Sequence, residues 1–190
     1  MVIKLKSFVT AILSTILMCC SNHVNLSTDA QEETQIPESY LDIASESNSI
    51  ANKIESSIAC ISKSGEYSYP EYFGGLYIDS DGYLVVLLKG DMASSRSKID
   101  SISDSELIRF KPCKYSYQEL LNATSKIDTA LSTVPKELIE NFAGYALMTE
   151  ENVVTVILED NSQSAITEFR QNIFDSPCLT FTKGKKIVNH

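Results

Sequence analysis

Phe73-Gly74-Gly75-Leu76-Tyr77-Ile78-Asp79 runs into Ser80-Asp81-Gly82 and out through Tyr83-Leu84-Val85-Val86-Leu87-Leu88, and the reading of this stretch decides the fold. An Asp-Gly pair between two β-rich runs predicts a hairpin, because Gly82 accepts the positive φ of a tight turn. The second run is apolar on both faces, the pattern of a central strand. A shift of 69 residues lays Phe142-Ala143-Gly144 under Phe73-Gly74-Gly75, and Val153 to Leu158 under Leu84 to Lys89, without a gap. Both copies continue into a helix-like segment, about Ala93 to Ser103 and Ser162 to Asn172. Both are then read as closing on a short strand with a Pro-Cys pair, Pro112-Cys113 and Pro177-Cys178. The expected unit is strand, strand, helix, strand, used twice.

Working outward, Ser116 and Glu119 have capping-box spacing. Leu120, Ala123, Ile127, Ala130 and Leu131 mark the apolar face of the helix that follows, placed between the two units. Upstream, Ile43, Ile50, Ile54, Ile58 and Ile61 recur at helical steps and predict an amphipathic docking helix from about Glu38 to Ser62, stopped by Ser64-Gly65. The fold class is α+β.

The chain has 190 residues, with 25 acidic and 16 basic side chains, a formal charge of −9, five cysteines, two histidines and no tryptophan. That charge argues against a nucleic-acid partner, which requires a basic face. His23 and His190 lie near the two ends, leaving histidine-based catalysis and multi-histidine metal sites little to work with. No cofactor is expected.

Lys4 and Lys6 precede an apolar run from Phe8 to Met18, the layout of a secretory signal and too short for a membrane span. The run ends at Leu17-Met18-Cys19-Cys20. This resembles the lipobox of bacterial lipoproteins, with Leu17 three residues before a lipidated Cys20; Cys19 is the alternative modified residue. The resemblance implies an exported protein anchored by acyl chains to a bacterial membrane, on its periplasmic or surface side. Loss of Lys4 and Lys6 with the leader takes the formal charge to −11, so lipid rather than surface charge must hold the protein at an anionic membrane. The expected divisions are 1–19 signal peptide, 20–36 lipidated cysteine and polar tether, 37–65 amphipathic helix, 66–114 first unit, 115–134 connecting helix, and 135–190 second unit and tail.

The landmarks Phe73 to Asp79, the hairpin, the strand ending near Cys113, and Tyr115-Ser116-Tyr117-Gln118-Glu119-Leu120 also resemble the pro-regions of secreted bacterial chymotrypsin-like serine proteases, the alpha-lytic protease and streptogrisin type. The resemblance covers roughly Tyr72 to Leu121 well and the second hairpin loosely. It implies an α+β unit that helps a protease fold and inhibits it, with a sheet edge and the C-terminal tail as the contact surface. No Gly-Asp-Ser-Gly-type nucleophile segment and no internal histidine stand here, so a fold and a habit of binding extended chain are expected to carry over, not catalysis. The basic tail, Phe181 to Ile187, is either a strand added to a partner's groove or a frayed terminus.

Asp79-Ser80-Asp81-Gly82 echoes a calcium loop, but Tyr83 and Gly90 occupy ligand positions of that pattern, and a hairpin turn is the better reading. Cys113 and Cys178, read as ending equivalent strands, are a candidate disulfide if those strands are adjacent; buried free thiols are the alternative. Tyr67, Tyr69, Tyr72, Tyr115 and Tyr117 form either a ligand platform or half-buried core edges. The expected function is a membrane-anchored binding module engaging an extracytoplasmic protease or other protein. A free-standing pro-region-like inhibitor or folding assistant is its sharper form, and an enzyme using carboxylates is the rival. A pocket lined by inward acids would favour the enzyme; a smooth sheet with an exposed edge would favour the module.

Overall fold

The computed structural model describes residues 38–61, 65 and 67–186. The signal, the lipobox with Cys20 and the whole tether lie outside them. Helix α1 (Glu38–Ile58) buries Ser47, Ala51, Ile54 and Ile58. It stops short of the predicted Ser62. Cys60–Ile61 (β1) instead pair antiparallel with Tyr67–Ser68 (β2), with Gly65 at φ +80° between them. Ile61 therefore leaves the helical stripe and stands 63% exposed.

The first hairpin forms as read. β3 (Phe73–Ile78) and β4 (Leu84–Lys89) pair antiparallel, and Gly82 turns at φ +89°. Asp91 accepts a hydrogen bond from the Ser94 amide and so caps α2 (Met92–Asp100), which crosses over to β5 (Ile108–Cys113), parallel to β4. Helix α3 (Tyr117–Leu131) starts on the predicted capping box: Ser116 Oγ accepts from the Glu119 amide, and Glu119 accepts from the Ser116 amide. After a 3-10 turn (Lys136–Ile139), β6 (Phe142–Met148) and β7 (Val153–Leu158) form the second hairpin. α4 (Gln163–Asn172) crosses over to β8 (Leu179–Lys183), parallel to β7. Strand order is β3-β4-β5 in one sheet and β6-β7-β8 in the other.

Both hairpins carry a bulge at the Phe-x-Gly step, between Phe73 and Gly75 and between Phe142 and Gly144. Past it, the ungapped shift of 69 fails. Core-facing Leu84, Val86 and Leu88 correspond to Val154, Val156 and Leu158, a spacing of 70. One additional residue lies between Phe142 and Val154. Strand side chains alternate between faces, so a one-residue slip would have turned the second core outward.

The Pro-Cys landmark fails for a similar reason. Leu84 pairs with Ile108 and Val154 with Leu179, so the equivalent strands are Ile108-Arg109-Phe110-Lys111-Pro112-Cys113 and Leu179-Thr180-Phe181-Thr182-Lys183-Gly184. Cys113 ends its strand, whereas Cys178 precedes β8.

Each sheet keeps its helices on one face. Ile54 and Ile58 of α1, Ile99 of α2 and the core face of β4 form one cluster. Leu120, Ala123, Ile127 and Leu131 of α3, Phe169 of α4 and the core face of β7 form the other. α3 therefore does for the second sheet what α1 does for the first, and the repeated unit gains a leading helix: α, β, β, α, β. Fully burying each such aliphatic side chain is worth about 1.5–3 kcal/mol. The Arg96 guanidinium of α2 lies 5.0 Å from the Phe110 ring centre, and that of Arg170 in α4 lies 5.0 Å from Phe181, so the crossover repeats down to one stacked pair.

Candidate interaction surface

The face of each sheet turned away from its helices differs between the units. On the first, β4 supplies Val85 and Leu87, which are nonetheless 0% and 3% exposed. Long side chains stand at the neighbouring positions of that face, and Leu87 also walls the seam with the second unit. The Arg109 guanidinium lies 3.9 Å from the centre of the Tyr83 ring and ion-pairs with Asp79 at 2.7 Å and Asp81 at 3.0 Å. Lys111 Nζ donates to the Tyr77 hydroxyl at 2.8 Å. On the second sheet the counterparts of Arg109 and Lys111 are the short Thr180 and Thr182. Thr155 and Ile157 are half-buried there, and a Cβ at Gly144 would meet nothing within 4 Å.

The outer strands differ as well. Gly184 N–H donates to Leu158 O and Val154 N–H to Cys178 O, so even-numbered residues of β8 face β7 in the ladder. The amides of Phe181 and Lys183 consequently point outward. In β5, Leu84 N–H donates to Leu107 O, which puts odd-numbered residues on β4 and Phe110 and Pro112 on the outside. Pro112 has no N–H to offer a further strand, and charged Arg109 and Lys111 flank Phe110. At the position of Pro112, β8 has Lys183. One edge is closed and the other is open.

The units meet at the second hairpin turn. Asn152 takes φ +55°, a left-handed conformation that asparagine tolerates better than most residues, and is 7% exposed. Its Oδ1 accepts from the Lys114 amide at 3.1 Å and the Tyr115 amide at 2.8 Å. Its Nδ2 donates to Gly74 O at 3.3 Å and Tyr115 O at 2.9 Å. Gly75, at φ +113°, leaves room for the same turn, since a Cβ there would lie 2.6 Å from Thr149 Cγ2. The Tyr115 hydroxyl adds a 2.7 Å bond to Pro177 O. None of this was read from the sequence. The available signal was Asn152 near the place where the first copy has turn-forming Gly82.

A cavity of about 520 Å³ opens along this seam, walled by Tyr77, Leu87, Cys113, Tyr115, Pro177 and the turn. Glu150 and Glu151 stand on its rim, but both are exposed turn residues. Lys111 is engaged by Tyr77, and Lys114 Nζ sits 5.1 Å from the Tyr115 ring centre.

The predicted site residues fall as follows. Cys113 and Cys178 belong to different sheets, and both thiols are free. Cys113 Sγ approaches Tyr115 O at 3.4 Å, and Cys178 Sγ lies 3.2 Å from Ser176 Oγ. Burial, with Glu119 adding to it against Lys89, pushes the Cys113 thiol up to about 11, so it is not a nucleophile at neutral pH. The Asp79-Ser80-Asp81-Gly82 segment is a turn: Asp79 Oδ1 accepts from the Asp81 and Tyr83 amides, and Arg109 supplies the positive charge. Tyr69 and Tyr117 pack with Phe73, with ring centres 5.0–5.9 Å apart, as core edges. Burial, followed by Glu55, pushes the Tyr69 hydroxyl up to about 12. The tail is ordered back onto the domain as far as Lys186, whose amide donates to Glu159 and whose ammonium meets Glu140 O. Ile187 to His190 lie outside the described residues.

Two family profiles divide the chain at the point where the repeat divides it. A Pro-like N-terminal domain matches residues 24–113, and a Pro-like C-terminal domain matches residues 118–184. The two matches support a protease pro-region-like fold. The break between the matches lies at the start of α3, which agrees with the assignment of α1 to the first unit and α3 to the second. Pro-region-like domains are typically not catalytic. No curated protein matches the chain.

Proposed function

We propose that this chain is a pro-region-like module that binds an extracytoplasmic protease, restraining it or assisting its folding. In this reading a lipidated Cys20 holds the module at a bacterial membrane on the exported side. The observation that carries the reading is the asymmetry of the outer strands. β5 is closed by Pro112 and flanking charges, whereas β8 offers the outward amides of Phe181 and Lys183 beside a half-buried sheet face. A free strand edge is a template for β-strand addition and is usually blunted where it has no use. The two Pro-like matches support the pro-region-like fold on which this reading rests.

Lys183→Pro copies the first unit's closure onto the second and leaves the ladder to β7 intact, because the amide it removes points outward. The full chain is mixed with a secreted bacterial chymotrypsin-like serine protease, and both inhibition and recovery of activity on refolding are measured. The wild-type chain is expected to act in at least one assay, and K183P to need at least about ten times more protein for the same effect. Inaction of the wild type in both assays, or equal action of K183P, ends the proposal. The anchor is checked separately: Cys20→Ser should lose acylation and move from the membrane to the soluble fraction.

A further inference from the structure

The seam contains a device that the proposed function does not use. Asn152 has one acceptor oxygen with two lone pairs and one amide with two hydrogens, and all four capacities are spent on backbone groups outside its own hairpin. The partners are the Lys114 and Tyr115 amides and the Gly74 and Tyr115 carbonyls, at 2.8–3.3 Å. They belong to the bulge of β3 and the segment just after β5. One side chain therefore joins the start of the first sheet, its end and the turn of the second. The residue is almost fully buried, so water cannot replace these bonds while the units stay together. Opening either unit gives up all four bonds at once, which raises the cost of opening one unit alone.

We propose that Asn152 is the lock that makes the two units fold and open as one cooperative body. The two cores share Leu147 and helix α3, and without the four Asn152 bonds that apolar contact alone would couple the sheets more weakly. The lock needs both the left-handed backbone, which places the side chain over Gly74, and the carboxamide, which satisfies donors and acceptors together.

Amide hydrogen exchange of the full chain tests this, with the slowest amides of β4 reporting on the first unit and those of β7 on the second. In the wild type the two sets should exchange at a common rate. Asn152→Gly keeps the left-handed turn and removes all four bonds; the sets should separate by about a hundredfold, at the modest net value of each bond. Asn152→Asp keeps an acceptor and loses both donations; the expected separation is about tenfold. Wild-type sets already more than tenfold apart would overturn the proposal. So would coincident sets in N152G. If N152G does not fold, N152D decides alone, and wild-type behaviour of that variant refutes the lock. Separation in Asn152→Ala without separation in N152G would assign the effect to backbone strain and equally refute it.

Discussion

The two sheets share strand order, bulge, crossover and even an arginine stacked on the same phenylalanine, yet they present opposite surfaces. At matched positions the first has Arg109, Lys111 and Pro112 where the second has Thr180, Thr182 and Lys183. Long charged side chains and a proline shut the first against further strands; short hydroxyls leave the second receptive. The comparison separates what the fold requires from what the molecule exposes. The apolar positions Ile108 and Phe110 are kept in kind as Leu179 and Phe181, while Arg109 and Lys111 on the outward face have become Thr180 and Thr182.

The bulge glycines offer the sharpest way to break that equivalence. Gly75 and Gly144 match in sequence and register, but only Gly75 has the other unit's turn against it. Gly75→Ala should cost about 3 kcal/mol, from its φ of +113° and the clash with Thr149. Gly144→Ala should stay within about 1 kcal/mol, and denaturant midpoints compare the two. Equal losses would mean that the seam is not where the structure puts it.

The outward faces differ by less. Val85→Thr places a hydroxyl at a buried position opposite Arg109 and should cost about 2 kcal/mol. Thr155→Val, at the matched position on the half-exposed second face, forfeits the 2.9 Å contact with Thr180 and should change stability by no more than about 0.5 kcal/mol. Thermal melts of both variants test whether one face is buried and the other half-exposed.

The smallest effect concerns charge at the ends of the central strands. Lys89 closes β4 and pairs with Glu119 of α3 at 2.7 Å; its counterpart after β7 is an acid, Glu159, which takes the tail instead. Burial opposes the charge of Glu119, but hydrogen bonds from Lys89 and Ser116 outweigh it and hold the carboxyl below the ordinary 4.5. A lowered folded pKa stabilises above the unfolded value, and that contribution is lost as pH falls through the folded one. Stability should thus decline below about pH 4.5. Glu119→Gln keeps the capping geometry and should flatten the decline without touching stability near neutral pH beyond the weak surface pair.

Local chemistry made much of the fold legible. The Asp-Gly turn, the capping box at Ser116 and Glu119, and the apolar stripes act over a few residues, and each formed close to where it was read. The exact register of the repeat was hidden, because one additional residue in the second hairpin is invisible to an ungapped comparison and reverses the faces. Pro-Cys misled for the same reason: identical letters fell at opposite ends of matched strands. The interaction surface was least legible. Whether Pro112 or Lys183 points outward depends on ladder parity, and the role of Asn152 depends on groups 37–78 residues away in the chain.

The order of elements along the chain has a biosynthetic consequence. α1 comes first and supplies one wall of the first core, and that core is complete only once Tyr117, at the start of α3, has emerged. A nascent chain paused just after Tyr117 would hold a sheet whose Gly74 carbonyl and Lys114 amide still await Asn152. The partner they await comes from the second half, at the turn between β6 and β7.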